Sequence, residues 1–206
     1  MKLLQPEIFA RHASHLGEGP CWHARRQSLW WVDITGCRIM EAKISGGPLR
    51  ELALPQMPGA IVVTRRGDFL AALREGFFRI DPDSGAIAPV ASAPGHDARE
   101  FRFNDGKVDP QGRFWAGTLA LDFRPQQSSL YRLDTAGAVT LVRRGVSISN
   151  GLAWTPDGRT LYYVDSPTRV VQRFDFDPVT GTVGEPQVAF ALGAGEGFPD
   201  GCSMDA

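Results

Sequence analysis

At 206 residues, with 43% hydrophobic and 22% charged side chains and a formal net charge of −1, the chain has the make-up of a globular protein with a sizeable core. Its 22 Lys and Arg gather no more densely than in pairs such as Arg25-Arg26, Arg65-Arg66 and Arg143-Arg144, which is not the basic footprint of a nucleic-acid binder. No apolar run approaches the roughly 20 residues needed to cross a bilayer, so neither nucleic acid nor membrane is expected as a partner.

The opening MKLLQPEIFARH loses its apolar character after two leucines, too soon for a signal peptide. Cys21, Cys37 and Cys202 are odd in number and form no CxxC pair, as expected of thiols kept reduced. These features together point to the cytoplasm.

Along the chain one pattern recurs: a turn, a short apolar strand and a polar break. It appears at 24–33 (ARRQSLWWVD), 64–73 (TRRGDFLAAL), 109–118 (DPQGRFWAGT) and 155–165 (TPDGRTLYYVD). The turn glycines Gly67, Gly112 and Gly158 lie 45 and 46 residues apart. Further strand-like runs follow at 77–81, 130–134 and 172–176, two of them leading into Asp81-Pro-Asp-Ser-Gly85 and Asp177-Pro-Val-Thr-Gly181 turns. A period near 45 residues with several short strands is the size of a propeller blade. No segment holds a 3.6-residue apolar period, so helix should be scarce. The expectation is an all-β, single-domain propeller over 1–206. A fifth repeat opens at Asp200, so about four and a half blades are expected. The tryptophans Trp30, Trp31, Trp115 and Trp154 fall in strands and are expected in the core.

Before each repeat stands an X-Gly dipeptide: Glu18-Gly19, Pro58-Gly59, Asp105-Gly106, Asn150-Gly151 and Asp200-Gly201, spaced by 40, 47, 45 and 50 residues. If the repeats are blades, the five X residues form a ring at one mouth of the channel. Four of them carry side-chain oxygen. Carboxylates converging on one mouth repel unless a positive charge sits between them, and oxygen donors suit hard cations. Each dipeptide taken singly also reads as a turn, and Asn150-Gly151 is a strong one. Shared register favours the ring. Elsewhere the glycine-rich run at 193–197 has no helix behind it and reads as a loop. The histidines His12, His15, His23 and His96 show no metal-ligand spacing, and no GxSxG elbow is present.

The segments LGEGP at 16–20, RFNDGKVDP at 102–110, SNGLAW at 149–154 and PDG at 199–201 resemble the senescence-marker-protein/gluconolactonase family in order and content. The resemblance implies a six-bladed β-propeller that binds one divalent metal ion and hydrolyses sugar lactones, with the ion drawn from Ca²⁺, Zn²⁺, Mn²⁺, Mg²⁺ or Fe²⁺. Carried over by residue, it implies Glu18, Asn150 and Asp200 as metal ligands, with Asp200 also the catalytic base. Arg102 and Asn104 would bind substrate. Asp122 stands where the family often has a glutamate contact, and Asp105 would neighbour the metal. Against that family's length, about one to two blades are missing here.

Two other classes compete. A non-catalytic propeller that binds calcium as a buffer or scaffold would keep Glu18, Asn150 and Asp200 but have no need of Arg102 and Asn104. A purely protein-binding propeller would have no use for the acidic ring, and a chelator would leave its stability unchanged.

Overall fold

The computed structural model of the chain describes residues 5 and 7–205; MKLL at the start, Pro6 and Ala206 lie outside the described residues. Among the described residues sixteen strands form four sheets of four antiparallel strands, each a meander in chain order. The first holds β1 (Gly17–His23), β2 (Ser28–Asp33), β3 (Arg38–Lys43) and β4 (Arg50–Ala53). The second holds β5 (Pro58–Val63), β6 (Phe69–Leu73), β7 (Gly76–Ile80) and β8 (Ile87–Ala91). The third holds β9 (Phe101–Val108), β10 (Phe114–Ala120), β11 (Ser128–Leu133) and β12 (Val139–Val146). The fourth holds β13 (Ser149–Trp154), β14 (Thr160–Asp165), β15 (Val170–Asp175) and β16 (Gln187–Ala191). This is a partial β-propeller. Helix is confined, among the described residues, to one 3-10 turn at Ser166–Thr168.

The repeated segments turn out to be the hairpin and second strand of each blade. Their turns close by donation from Gly67 N to Thr64 O (3.0 Å), Gly112 N to Asp109 O (2.9 Å) and Gly158 N to Thr155 O (2.8 Å). The runs at 77–81, 130–134 and 172–176 supply β7, β11 and β15. Residues 199–205 form no strand, although a fifth repeat was expected to begin there.

Three apolar clusters fill the gaps between successive sheets. Trp30, Val32 and Ile39 meet Ile61, Phe69 and Ile80; Phe77 meets Phe103 and Phe114; Trp115 and Leu130 meet Trp154, Tyr163 and Phe174. A strand covered on both faces reads as continuously apolar rather than alternating, and β10, FWAGTLA, is buried at every position. Trp30, Trp115 and Trp154 are core residues, while Trp31 is only half-buried and donates from Nε1 to Ser14 Oγ at 3.1 Å.

Neighbouring blades are also tied by polar groups. Arg113 pairs with buried Asp109 (Nε to Oδ2, 2.5 Å) and donates to the carbonyls of Val179 (3.2 Å) and Pro178 (2.8 Å) in the fourth blade. The Trp115 indole N–H donates to the same Asp109 oxygen at 2.9 Å.

Candidate metal centre and substrate site

The first strands β1, β5, β9 and β13 lie innermost and pack on one another in sequence. All carry an irregularity near the X-Gly dipeptide. Pairing slips between Glu18 and Cys21 in β1, between Pro58 and Ala60 in β5, and between Ser149 and Leu152 in β13. In β9, Asp105 faces Gly117 and Phe103 faces Thr118, so Asn104 has no partner. Such bulges bend a strand and re-aim a side chain. The dipeptides, each of which taken singly also reads as a turn, are therefore bulges inside strands, apart from Asp200-Gly201, which lies outside any strand.

Gly59 and Gly151 are required by the close approach of a segment outside their own sheet. A Cβ on Gly59 would lie 2.4 Å from the Phe103 backbone, and one on Gly151 would lie 2.6 Å from the Asp200 carbonyl oxygen.

Glu18, Asn104, Asp105, Asn150 and Asp200 line one cavity of about 630 Å³. Asp200 is brought there by hydrogen bonds to its own segment. Gly151 N donates to Asp200 O (3.3 Å), Ser166 Oγ to Pro199 O (2.7 Å) and Lys107 Nζ to Cys202 O (2.5 Å). Arg102, buried beside the cavity, donates from Nη1 to Phe103 O (3.0 Å) and to Asn104 Oδ1 (2.9 Å). Asn104 Nδ2 in turn donates to Ser149 O and Asn150 Oδ1, both at 2.9 Å, and Asn150 Nδ2 donates to Ser166 Oγ at 2.7 Å.

The electrostatics reflect an excess of negative charge. Burial raises the Glu18 pKa, and the charges of Asp200 and Asp105 raise it further against the opposing pull of Arg102. Burial raises that of Asp105 too; the Gly106 N–H and Lys107 lower it, and Asp200 adds to the rise. Arg102 is drawn down to about 10 by burial, with Glu18 resisting. Carboxylates held in a cavity at this cost, together with an amide oxygen, form a donor set that fits a hard divalent cation. Among the described residues no cluster of three His, Cys, Asp or Glu closes to metal-ligand spacing. The expected set has two carboxylates and one amide instead.

Asp122 is not brought to this cavity. It sits on an exposed turn after β10, where Arg124 donates to it from Nη1 (2.8 Å) and from the backbone N–H (3.2 Å). The same guanidinium pairs with Glu100 and lies over the Phe101 ring. Arg124 thereby holds Asp122 on its exposed turn, with its pKa lowered chiefly by the backbone and guanidinium hydrogen bonds.

Two contributors escaped the reading of the sequence. Lys107 stands inside the quoted RFNDGKVDP segment and was passed over as one more charged residue. Ser166 follows the fourth repeat in an ordinary Asp-Ser-Pro, which carries no signal of its own. Cys21, Cys37 and Cys202 are free thiols. No helix among the described residues is long and apolar enough to cross a membrane.

Comparison with known proteins bears on the family and the fold. A family model described as SMP-30/Gluconolactonase/LRE-like region matches residues 16–206. Regucalcin of Gallus gallus is 35% identical over 210 residues, covering 100% of this chain and 70% of the relative. The 6-deoxy-6-sulfogluconolactonase of Pseudomonas putida is 37% identical over 198 residues, covering 95% and 67%. Among solved structures, a calcium-binding protein, regucalcin, from Agrobacterium tumefaciens superposes with a TM-score of 0.87 at 30% identity, over 92% of this chain and 64% of that one. A luciferin-regenerating enzyme gives 0.85 at 30% identity, over 92% and 66%. The chain spans about two thirds of the length of these relatives. With the repeated blades, the four motifs and the family match in agreement, the chain belongs to the SMP-30/gluconolactonase/LRE-like family.

Proposed function

We propose that the chain carries the site of a divalent-metal-dependent hydrolase of sugar lactones. The observation that supports this best is the convergence of Glu18, Asn150 and Asp200 on the cavity that Asn104 also lines, beside Arg102. Glu18, Asn150 and Asp200 would hold the ion, and a divalent cation supplies, when bound, polarisation of an ester carbonyl and compensation of developing negative charge.

The remaining work falls to the chain's own groups. The Asp200 carboxylate would accept a proton from the water attacking the lactone carbonyl, a role worth on the order of 10²–10⁴ in rate. As the ring C–O bond breaks, the departing alkoxide takes that proton back from Asp200, leaving an open-chain hydroxy acid and the carboxylate regenerated. Among the described residues Arg102 donates only from Nη1, so Nε and Nη2 would be the groups that orient substrate hydroxyls. Both Nδ2 protons of Asn104 are already committed to Ser149 O and Asn150 Oδ1, so its part is to hold the constellation as much as to touch substrate. Asp105 would act beside the ion rather than on it, and Asp122 would reach a substrate hydroxyl only if its turn released Arg124.

Proton release from a panel of aldonolactones, with Mn²⁺ or Ca²⁺ and then with excess chelator, tests the reading. Hydrolysis above the spontaneous rate that the chelator removes is the expected result. A relative named as a calcium-binding protein supports a second reading, cation binding without catalysis. Tight ion binding with no lactone opening would favour that one.

A further inference from the structure

The hydrogen bonds around Asn150 have a direction set by chemistry. A guanidinium can only donate, so the Asn104 amide must turn Oδ1 toward Arg102 Nη1 (2.9 Å) and Nδ2 away from it. That Nδ2 meets Ser149 O and Asn150 Oδ1, both at 2.9 Å, and the carbonyl can only accept. The Asn150 amide is thereby turned as well. Its oxygen stays on the Asn104 side with one lone pair unused, and its NH₂ points to Ser166 Oγ at 2.7 Å. With a lone pair engaged, the Ser166 hydroxyl sends its own proton to Pro199 O at 2.7 Å, one residue before Asp200.

Ser166 is well placed to be the junction. It is buried at 8% exposure. It opens the 3-10 turn at Ser166–Thr168, with its N–H on Ile148 O (3.2 Å) and its carbonyl accepting from Arg169 N (3.1 Å). The hydroxyl thus touches both the amide of one expected ligand and the backbone leading to another. If it were removed, Asn104 would still keep the Asn150 oxygen on its side, but the Asn150 NH₂ would lose its acceptor and the amide would be held from one end only. Its oxygen would then no longer be fixed toward the cation, and the Pro199 carbonyl would lose its tether.

We propose that Ser166 is a positioning residue that fixes the Asn150 amide and the Asp200 segment in one arrangement, so that both ligands meet the cation together. The proposal rests on the metal-site reading above. Partners of this kind typically change metal affinity 10–100-fold when removed.

The test is a Mn²⁺ titration of the chain, following the signal of free Mn²⁺ by electron paramagnetic resonance, alongside thermal melts without metal. Ser166→Ala should weaken Mn²⁺ binding about 10–100-fold, and Ser166→Thr, which keeps the hydroxyl, should restore most of it. Ser28→Ala removes a buried hydroxyl that accepts from Trp30 Nε1 at 2.8 Å, away from the cavity, and should lower the melting temperature without changing affinity. If Ser166→Ala does not fold, the near-isosteric Ser166→Cys, a weak donor and acceptor, should show the same loss in milder form. Ser166→Ala or its Cys substitute binding Mn²⁺ as tightly as the parent, while Asn150→Ala binds weakly, would overturn the role of Ser166 alone. A parent that binds no Mn²⁺, or an Asn150→Ala variant that binds it unchanged, would overturn the metal reading and this proposal with it.

Discussion

Asp33 and Asp165 perform the same task in the first and fourth blades. Each ends the second strand of its blade and accepts two backbone N–H groups from the segment entering its own first strand. For Asp33 these are His15 (3.1 Å) and Leu16 (2.9 Å); for Asp165 they are Ser147 (3.0 Å) and Ile148 (2.9 Å). The residues so anchored lead directly to Glu18 and Asn150. Asp33 is further bound by Arg38 Nε (2.9 Å) and the Gly36 N–H (3.2 Å). Asp33→Ala should therefore cost about 3 kcal/mol in a urea melt, because the buried acceptor of several donors is lost.

The same site should give the acid limb of the stability curve a recognisable shape. Burial alone would raise the Asp33 pKa, but the Leu16 and His15 N–H groups, Arg38 and Gly36 together hold it at about 2. A carboxyl depressed in the folded state contributes stability that is complete above the unfolded value near 4 and is lost as pH falls toward 2. Melts of the parent between pH 5 and 2 should fall more steeply than those of Asp33→Asn, which has no such proton to take up.

Arg113 joins two blades through a buried charge, so removing it leaves Asp109 uncompensated. Arg113→Ala is expected to destabilise by about 3–5 kcal/mol. The turn carrying Pro178 and Val179 should exchange its amide protons faster, as hydrogen exchange followed by mass spectrometry would show.

In the cavity, Glu18 stands near Asp200 and Asp105 at an electrostatic cost. Glu18→Gln should leave the metal-free chain as stable as the parent, or more so. It should also abolish the rise in melting temperature that saturating Mn²⁺ gives the parent, worth about 2.7 kcal/mol at a hundred times the dissociation constant. A Glu18→Gln chain that Mn²⁺ still protects in full would remove Glu18 from the ligand set.

For catalysis, Asp200→Asn should lower kcat by roughly 10²–10⁴, whereas Arg102→Ala should mainly raise KM. Steady-state rates on the lactone that the parent opens fastest separate the two. Equal effects on kcat from both would contradict the division of labour proposed for them.

Much of this architecture was legible in the residues because repetition is a strong signal. Turn glycines such as Gly67, Gly112 and Gly158 marked the blades, whereas the burial of β10 on both faces extends past Thr118, which reads as a polar break. The X-Gly dipeptides marked equivalent places in the inner strands by their shared register, but not the bulges that shape them. Asn150-Gly151 has the composition of a turn, yet the neighbouring segment packs against it and makes it a bulge within β13. Asp122 was out of reach for a different cause: its position depends on Arg124, Glu100 and Phe101, which only the folded chain brings together. Ser166 could not have been picked out, since one serine among many gains its meaning from Asn150 and Pro199, 16 and 33 residues away.

Gly59 and Gly151 bear on how such a protein could be taken apart and recombined. Each belongs to one blade by sequence, yet the space it leaves is occupied by the backbone of a later segment, Phe103 of the third blade and Asp200 beyond the fourth. At these two places the fit lies in the seam rather than in the sheet. Chimaeras joined in the outer loops of a sheet would carry these seams across intact. Those joined between sheets would break the fit at Gly59 and Gly151.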